Sequence, residues 1–204
     1  DDYRDHLLSL IRADKTSCRK NAKLGAVAMS QPALLEPADR MGLREASFLK
    51  YLLANTPSAH PLTAVNLPGS HHRPTMLFAA THEGVLRAFR VDREKVITLP
   101  DGSKAGDEMW SWLPAFNLRR IRQLKLVTTA RGSYLGGHVV ARHVQLQRTP
   151  LAPQQNEQMW RAVVAVGAGE GGSGYFALDV TVPSKPQLLW EITPDRHCWG
   201  WGSV

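Results

Sequence analysis

Apolar residues recur along this chain with two different spacings, which divide it into a partly helical beginning and a strand-rich remainder. Residues 3–12 and 41–54 repeat apolar positions at helical spacing, so both segments predict amphipathic helices. Residues 24–35 predict a short buried strand that Pro32 interrupts. Residues 55–74 contain four prolines and therefore predict a loop.

From residue 75 onward the pattern favours strands. Residues 75–91 consist of an apolar run, a polar turn that ends at Gly84, and a second apolar run, which is a hairpin signal. A stretch containing Trp110 and Trp112 precedes an amphipathic helix predicted at 115–125. Residues with β character at 134–147 predict another hairpin. Residues 159–192 predict a strand, a glycine-rich turn, a strand, a P-S-K-P turn and a final strand.

Two of these hairpin segments resemble one another and indicate an internal repeat. TMLFAATHEGVLRAF and AVVAVGAGEGGSGYFAL share the order strand, polar turn, glycine, strand, and both end in alanine followed by a large apolar residue. Gly84 and Gly174 lie 90 residues apart. One propeller blade occupies about 40–50 residues. The spacing therefore fits either two blades or one blade with a helical insertion.

Gly167, Gly169 and Gly172 spell G-x-G-x-x-G, the fingerprint of a dinucleotide-binding turn. That function requires a helix to begin at the third glycine, because the helix amides hold the pyrophosphate. The residues that follow here, S-G-Y-F-A-L-D-V-T, favour a strand instead. A phosphate-binding P-loop is excluded because Tyr175 stands where the lysine must be. We interpret the run as a turn between antiparallel strands, in which glycine permits a positive φ. The predicted structural turn glycines are Gly84, Gly167, Gly169, Gly171, Gly172 and Gly174.

No other motif specifies a catalytic or metal site. The histidine pairs His71–His72 and His138/His143 form no H-E-x-x-H pattern, and no D-x-D-x-D calcium loop or G-x-S-x-G nucleophile elbow occurs. Six tryptophans predict large aromatic side chains packed between sheets. Stacking of a carbohydrate or a quinone is the alternative role for them.

Bulk composition narrows the class of protein. The chain has 204 residues, of which 43% are hydrophobic and 21% charged, as in a globular protein with one large domain or two small ones. No apolar run is long enough to predict membrane insertion. The net charge of +7 comes from scattered basic residues, and the densest cluster, at 119–125, fits a solvated helix face, so nucleic acid is not an expected partner. The beginning, DDYRDHLLSLIR, is no signal peptide, and we expect a processed chain or part of a longer one.

Cys18 and Cys198 are the two cysteines of the chain, and they form no C-x-x-C motif. If they pair, the disulfide closes most of the chain into one loop and contributes about 4–5 kcal/mol on the chain-entropy model. Two buried free thiols are the alternative, and export would favour the pair. Both interpretations stay open.

One long segment resembles a known family. WRAVVAVGAGEGGSGYFALDVTVPSKPQLLWEI, at 160–192, is similar to a signature of the type IV pilus tip-associated assembly factors and adhesins of the PilC/PilY type. Segments 24–32, 77–89 and 108–114 resemble further family motifs in the same order. Glu83 replaces the family's usual aspartate in the second of these, and 134–137 (YLGG) lacks the aspartate of the corresponding family segment.

The resemblance implies a mainly β fold that is part of a quinoprotein-like β-propeller with helical insertions. Residues 1–204 are then a single incomplete propeller portion. It has a leading helix and linker at 1–23, and its blade segments at 24–204 include the helices near 41–54 and 115–125. Blade-packing positions are Phe89, Trp112, Leu178 and Trp190.

The implied function is that of a non-enzymatic type IV pilus biogenesis factor and tip adhesin. Such a protein is exported to the periplasm and cell surface, promotes pilus assembly with minor pilins, contributes to twitching motility, and binds a host or abiotic surface. No cofactor is expected in this segment, because the family's calcium loop lies in a later blade and its ligands have no counterpart here. The alternatives are a pyrroloquinoline-quinone-dependent dehydrogenase-like propeller and a carbohydrate-binding propeller.

Overall fold

The fold is known from a computed structural model, which describes residues 30–41, 74–91, 104–118, 134–147 and 158–193 together with residues 27, 44, 45 and 48. The predicted helix at 3–12 and the linker up to residue 23 lie outside the described residues. Most of the predicted helix at 41–54 lies outside them too, as do His71, His72 and both cysteines.

The first sheet is an antiparallel meander of four strands. Its strands are β1 (Ala33–Leu35), β2 (Met76–Ala80), β3 (Leu86–Arg90) and β4 (Glu108–Trp112), hydrogen-bonded in that order. The predicted hairpin at 75–91 is confirmed as β2 and β3. The predicted strand at 24–35 is confirmed at Ala33–Leu35, and residues 24–26, 28 and 29 lie outside the described part. Strand β1 begins directly after Pro32, a residue that has no N–H to donate to a neighbouring strand.

The second sheet repeats this arrangement with β5 (Val139–Gln147), β6 (Gln158–Gly167), β7 (Tyr175–Asp179) and β8 (Gln187–Ile192). The predicted order at 159–192 is confirmed. The hairpin predicted at 134–147 is wrong, because Val139–Gln147 forms one continuous strand and pairs along its full length with β6. That strand contains no glycine or proline to break it.

The helical elements among the described residues are short, and Phe48 and Leu118 are in addition α-helical residues with neighbours outside the described part. Three 3-10 turns occupy Ala38–Met41, Ala115–Asn117 and Gly169–Gly171. The first residues of the helix predicted at 115–125 are therefore a 3-10 turn, and residues 119–125 lie outside the described part. Within the described ranges, no helix is long and apolar enough to cross a membrane.

The hydrophobic core lies between the two sheets. Met76, Phe78 and Leu86 come from one face of the first sheet and are fully buried against Val164 and Phe176 of the second. These side chains share a face because directly paired residues of neighbouring strands point the same way. Burying each such side chain contributes about 1.5–3 kcal/mol, so the sheets stabilise one another.

The two sheets match in register as well as in strand order. Ala88 pairs with Trp110 in the first sheet, and Ala177 pairs with Trp190 in the second. In both sheets the pairing of the third and fourth strands shifts directly after that alanine. The sequence repeat thus corresponds to one four-stranded sheet per copy, and most of the predicted helical insertion, residues 119–125, lies outside the described residues.

Candidate interaction site

The turn between β2 and β3 is one half of a loop cluster at one end of the sheets. Gly84 N–H donates to the carbonyl of Thr81 at 2.9 Å, and the Thr81 hydroxyl donates to the carbonyl of Val85 at 2.9 Å. Gly84 has a φ of 89°, a conformation that side chains with a Cβ rarely adopt. Thr81 and Gly84 are both buried, so the turn is packed rather than solvated.

Asn117 holds this turn against two other segments. Its side-chain Nδ2 donates to the carbonyls of Gly84 and Tyr134, both at 3.0 Å, and the residue is fully buried. Tyr134 N–H in turn donates to the carbonyl of His82 at 3.0 Å. The sequence analysis missed Asn117, since one asparagine after an L-P-A-F segment does not indicate which distant carbonyls it binds.

The glycine run supplies the other half of the cluster. Gly167 ends β6, Gly169–Gly171 form the 3-10 turn, Gly172 follows with a φ of 139°, and buried Gly174 precedes β7. Ala168 N–H donates to the Gly174 carbonyl at 2.8 Å and closes the turn. A strand and not a helix follows Gly172, so the structural requirement for dinucleotide binding is absent from this segment.

Close backbone contacts join this turn to the segment before β5. Gly136 N–H donates to the Ala168 carbonyl at 3.0 Å. A Cβ on Gly169, whose φ is 58°, would lie 2.5 Å from the Gly137 nitrogen, and a Cβ on Gly137 would overlap the Gly167 carbonyl. The glycine pair at 136–137 therefore matters as much as the G-x-G-x-x-G run. Ser30 Oγ adds a hydrogen bond to the Gly137 carbonyl at 3.0 Å.

The loop cluster forms a closely packed surface with polar groups at its edge. His138, Glu170 and Ser173 are exposed there, and His82 and Glu83 are partly exposed. Among the described residues, no group of three or more His, Cys, Asp or Glu side chains is placed to hold a metal ion. The chemistry that this surface offers is hydrogen bonding and charge pairing from positions fixed by buried backbone contacts.

A second set of contacts crosses the seam between the sheets at β4 and β8. The indole Nε1 of Trp110 donates to the Pro183 carbonyl, in the turn after β7, at 2.6 Å. The Glu191 carboxylate on β8 accepts hydrogen bonds from the backbone N–H groups of Ala115 at 3.1 Å and Phe116 at 2.9 Å. A carboxylate that accepts two amide protons is a strong, directional link.

Phe116 completes the seam. Its ring lies 6.3 Å from that of Phe176, measured between centroids, and it also covers Gly174, where a Cβ would lie 3.0 Å from the ring. The L-W-E and Gly-Tyr segments of the family-like signature thus contact the segment after β4. The sequence analysis did not predict these pairings, because each joins residues about 60–75 positions apart.

The A-L-D-V-T segment has a local structural reason for its composition. The Asp179 carboxylate accepts a hydrogen bond from Thr181 N–H at 2.8 Å and lies 3.5 Å from the Arg161 guanidinium. Ala162 N–H donates to the Thr181 hydroxyl at 3.1 Å. Aspartate that binds the backbone two residues later ends a strand and starts a turn.

Arg87 is a buried charge that sequence reasoning missed. It is 3% exposed on the face of β3 that points away from the second sheet, and its guanidinium lies 2.8 Å from Glu108 and 3.4 Å from Glu83. Nothing in the sequence L-R-A-F indicates that its arginine is buried. The one sequence feature that relates to this buried arginine is Glu83, at a position where the resembling family usually has aspartate.

The predicted packing residues lie in different environments. Leu178 is fully buried in the core, and Trp112 is half-buried against it. Phe89 is half-buried on the opposite face of β3, and Trp190 is 43% exposed. Their role between blades stays a prediction. Gly84 and the glycines of the 167–174 run lie in the loop cluster, whereas Cys18 and Cys198 lie outside the described residues.

Fold and site together define a class: a repetitive antiparallel β protein whose sheets stack face to face and interlock through glycine turns. Several type IV pilus biogenesis factors are similar to it in sequence. The type IV pilus biogenesis factor PilY1 of Pseudomonas aeruginosa is 28% identical over 180 residues, which cover 87% of this chain and 13% of that protein. PilY1 of strain UCBPP-PA14 is 26% identical over 85% of this chain and 12% of its own length. A PilY1 homolog of Xylella fastidiosa is 24% identical over 70% of this chain and 11% of its own length.

The chain is similar in sequence to PilY-type type IV pilus biogenesis factors over 70–87% of its length. It spans about an eighth of the length of the relatives from Pseudomonas aeruginosa. The crystal structure of the Pseudomonas aeruginosa PilY1 C-terminal domain is similar at a TM-score of 0.40 and 21% identity, over 71% of this chain and 24% of that one. No family model matches the sequence.

Proposed function

We propose that this chain is a portion of a type IV pilus biogenesis factor and acts as a binding scaffold rather than as an enzyme. The observation that carries the proposal is the similarity to PilY1 proteins over 85–87% of the chain. The packed glycine turns support it, because rigid loops at the end of a sheet are a common place for binding residues.

The two sheets are successive blades of a quinoprotein-like β-propeller, in the C-terminal portion of the longer protein. Each is a four-stranded antiparallel meander, which is the unit of a propeller blade. The first strands β1 and β5 contact each other, and the Trp110 and Glu191 hydrogen bonds join the fourth strands to the neighbouring sheet. Face-to-face packing with matched first and fourth strands is what neighbouring blades require.

The protein is exported and acts at the periplasm and the cell surface. There it promotes pilus assembly with minor pilins at the pilus tip, supports twitching motility and contributes to adhesion to a host or abiotic surface. The loop cluster around Glu170 is the proposed contact surface. This segment needs no cofactor in that role, and any calcium belongs to a later blade.

Gene deletion followed by complementation tests the function. We expect the deletion strain to lose surface pili, twitching and adhesion, and the wild-type gene to restore them. Glu170→Lys inverts an exposed charge in the loop cluster, and Lys185→Glu inverts an exposed charge in the turn after β7, at the opposite end of the sheets. We expect the first variant to restore piliation poorly and the second to restore it fully.

The possible outcomes separate the function from the location of the contact surface. Unchanged piliation, twitching and adhesion in the deletion strain would contradict the proposed function. Equal restoration by Glu170→Lys and Lys185→Glu would contradict the loop cluster as the contact surface and leave the function standing.

A further inference from the structure

Three buried polar atoms surround the turn between β2 and β3. They are Asn117 Oδ1, Trp112 Nε1 and His82 Nδ1, and within the described ranges none of the three has a hydrogen-bond partner. A buried polar group without a hydrogen bond is rare in folded proteins, because it loses its contact with water and gains nothing in return. Each of these atoms therefore requires a polar partner.

All three residues are connected to the packed turn at Gly84. His82 lies in the same turn, Asn117 Nδ2 donates to the Gly84 carbonyl at 3.0 Å, and Trp112 is paired with the first residue of β3, directly after the turn. Tyr134 adds a further link, because its N–H donates to the His82 carbonyl and its carbonyl accepts from Asn117. The three atoms thus belong to one end of the first sheet, inside the loop cluster.

The orientation of the Asn117 side-chain amide is fixed by the groups it binds. Its Nδ2 donates to the carbonyls of Gly84 and Tyr134, both at 3.0 Å, and a carbonyl can only accept. Turning the amide over would place Oδ1 against two carbonyl oxygens and break both hydrogen bonds. Oδ1 therefore points in the remaining direction, and bulk solvent does not reach it because the residue is fully buried.

The three atoms together select the chemistry of their partner. The indole Nε1 only donates, Asn117 Oδ1 only accepts, and His82 Nδ1 accepts when the imidazole proton is on Nε2. Water both donates and accepts, so it matches this set. A metal ion does not match it, because an indole N–H group cannot serve as a ligand. The part of the chain that the structure describes also contains no group of three or more His, Cys, Asp or Glu side chains placed to hold a metal.

We propose that the turn between β2 and β3 encloses an internal hydration site. Bound water donates hydrogen bonds to Asn117 Oδ1 and His82 Nδ1 and accepts one from Trp112 Nε1. A buried water typically makes about three hydrogen bonds and satisfies polar groups that the chain itself leaves unpaired. The water joins β4, the segment at Asn117 and the turn, so it is a structural part of the loop cluster. The site follows from the packing at Gly84 and does not depend on the proposed function.

A crystal structure of the full-length polypeptide that resolves ordered waters tests the site directly. We expect density for water within about 2.5–3.2 Å of Asn117 Oδ1 and of at least one of the other two atoms, Trp112 Nε1 and His82 Nδ1. A protein donor at Asn117 Oδ1, a metal ion, or the absence of density at that distance would overturn the proposal.

Trp110 provides a matched control for a test in solution. It lies two positions before Trp112 on β4 and on the same side of the sheet, and its Nε1 donates to the Pro183 carbonyl at 2.6 Å. Replacing one indole at a time by benzothiophene exchanges the N–H group for sulfur and keeps the shape of the ring. The two replacements therefore compare an indole whose acceptor is a protein carbonyl with one whose proposed acceptor is water.

The midpoint of thermal unfolding of the full-length polypeptide distinguishes the possibilities. We expect both replacements to lower it by a few degrees, because each removes a buried hydrogen bond. If the N–H group of Trp112 has no acceptor, its removal relieves an unsatisfied donor, and the midpoint stays unchanged or rises. That result at Trp112, beside a lowered midpoint at Trp110, would overturn the proposal.

Discussion

Gly84 and Gly106 have nearly the same backbone conformation, with φ angles of 89° and 93°, in very different surroundings. A Cβ on Gly84 would lie 2.8 Å from Asn117 Nδ2 and 3.0 Å from Tyr134 Cβ, whereas a Cβ on Gly106 would meet nothing within 4 Å. Replacing either glycine with alanine costs the same free energy, about 1–2 kcal/mol, for holding a residue with a Cβ at a positive φ. The pair therefore separates the cost of the backbone conformation from the cost of crowding.

At Gly84 two further costs are added. Moving the Asn117 amide aside weakens its two hydrogen bonds of 3.0 Å, each of which contributes about 1 kcal/mol. Overpacking of a buried site costs about 1–3 kcal/mol, and it overlaps with that loss. We expect Gly84→Ala to lower the free energy of unfolding by about 3–5 kcal/mol and Gly106→Ala by about 1–2 kcal/mol.

Urea denaturation followed by tryptophan fluorescence measures both values, with Gly106→Ala as the matched control. If the two variants lose the same free energy of unfolding within about 0.5 kcal/mol, crowding at Gly84 by Asn117 contributes nothing. That result would refute the interpretation that this turn is tightly packed. A loss at Gly84 alone would show that the positive φ is not the shared cost.

Three further outcomes follow from the same contacts. Asn117→Ala should lower the free energy of unfolding by about 2–3 kcal/mol, because two carbonyls lose their donor and one of them is buried; a loss below about 1 kcal/mol in urea denaturation would contradict this. Glu191→Ala should speed amide hydrogen exchange at Ala115 and Phe116 by about tenfold, and Glu191→Gln, which keeps one acceptor oxygen, by less; unchanged exchange would exclude the carboxylate contact. Adding pyrroloquinoline quinone with calcium should produce no dehydrogenase activity, and quinone-dependent turnover would overturn the scaffold proposal.

Local features of the fold were predictable from the sequence, and contacts between distant segments were not. Alternating strands and turn glycines identified β2, β3, β6, β7 and β8 because a strand and its hairpin turn depend on neighbouring residues. The same reasoning failed at Val139–Gln147, where β character alone could not separate one long strand from a hairpin. Its partner β6 begins only at Gln158, and no local pattern specifies that pairing.

The glycine run shows the same division between local and distant information. The strand-like residues after Gly172 excluded a nucleotide site, because that test needs only the next few positions. The reason why residue 169 must be glycine cannot be inferred from its neighbours in sequence, because the atom that excludes a side chain there is the backbone nitrogen of Gly137. Two glycines 32 and 33 positions away, Gly137 and Gly136, thus explain a glycine in the signature, and only the folded arrangement brings them together.

Trp110 and Trp190 show most clearly the difference between local sequence pattern and contacts with distant segments. They have the same register, the same paired alanine and the same following proline, so any argument from sequence pattern must give them the same role. The structure distinguishes them by their surroundings: Trp110 is half-buried and bonded to Pro183, whereas Trp190 is 43% exposed. Register alone therefore does not decide how far a tryptophan is buried, because burial depends on which segment packs against that face of the sheet.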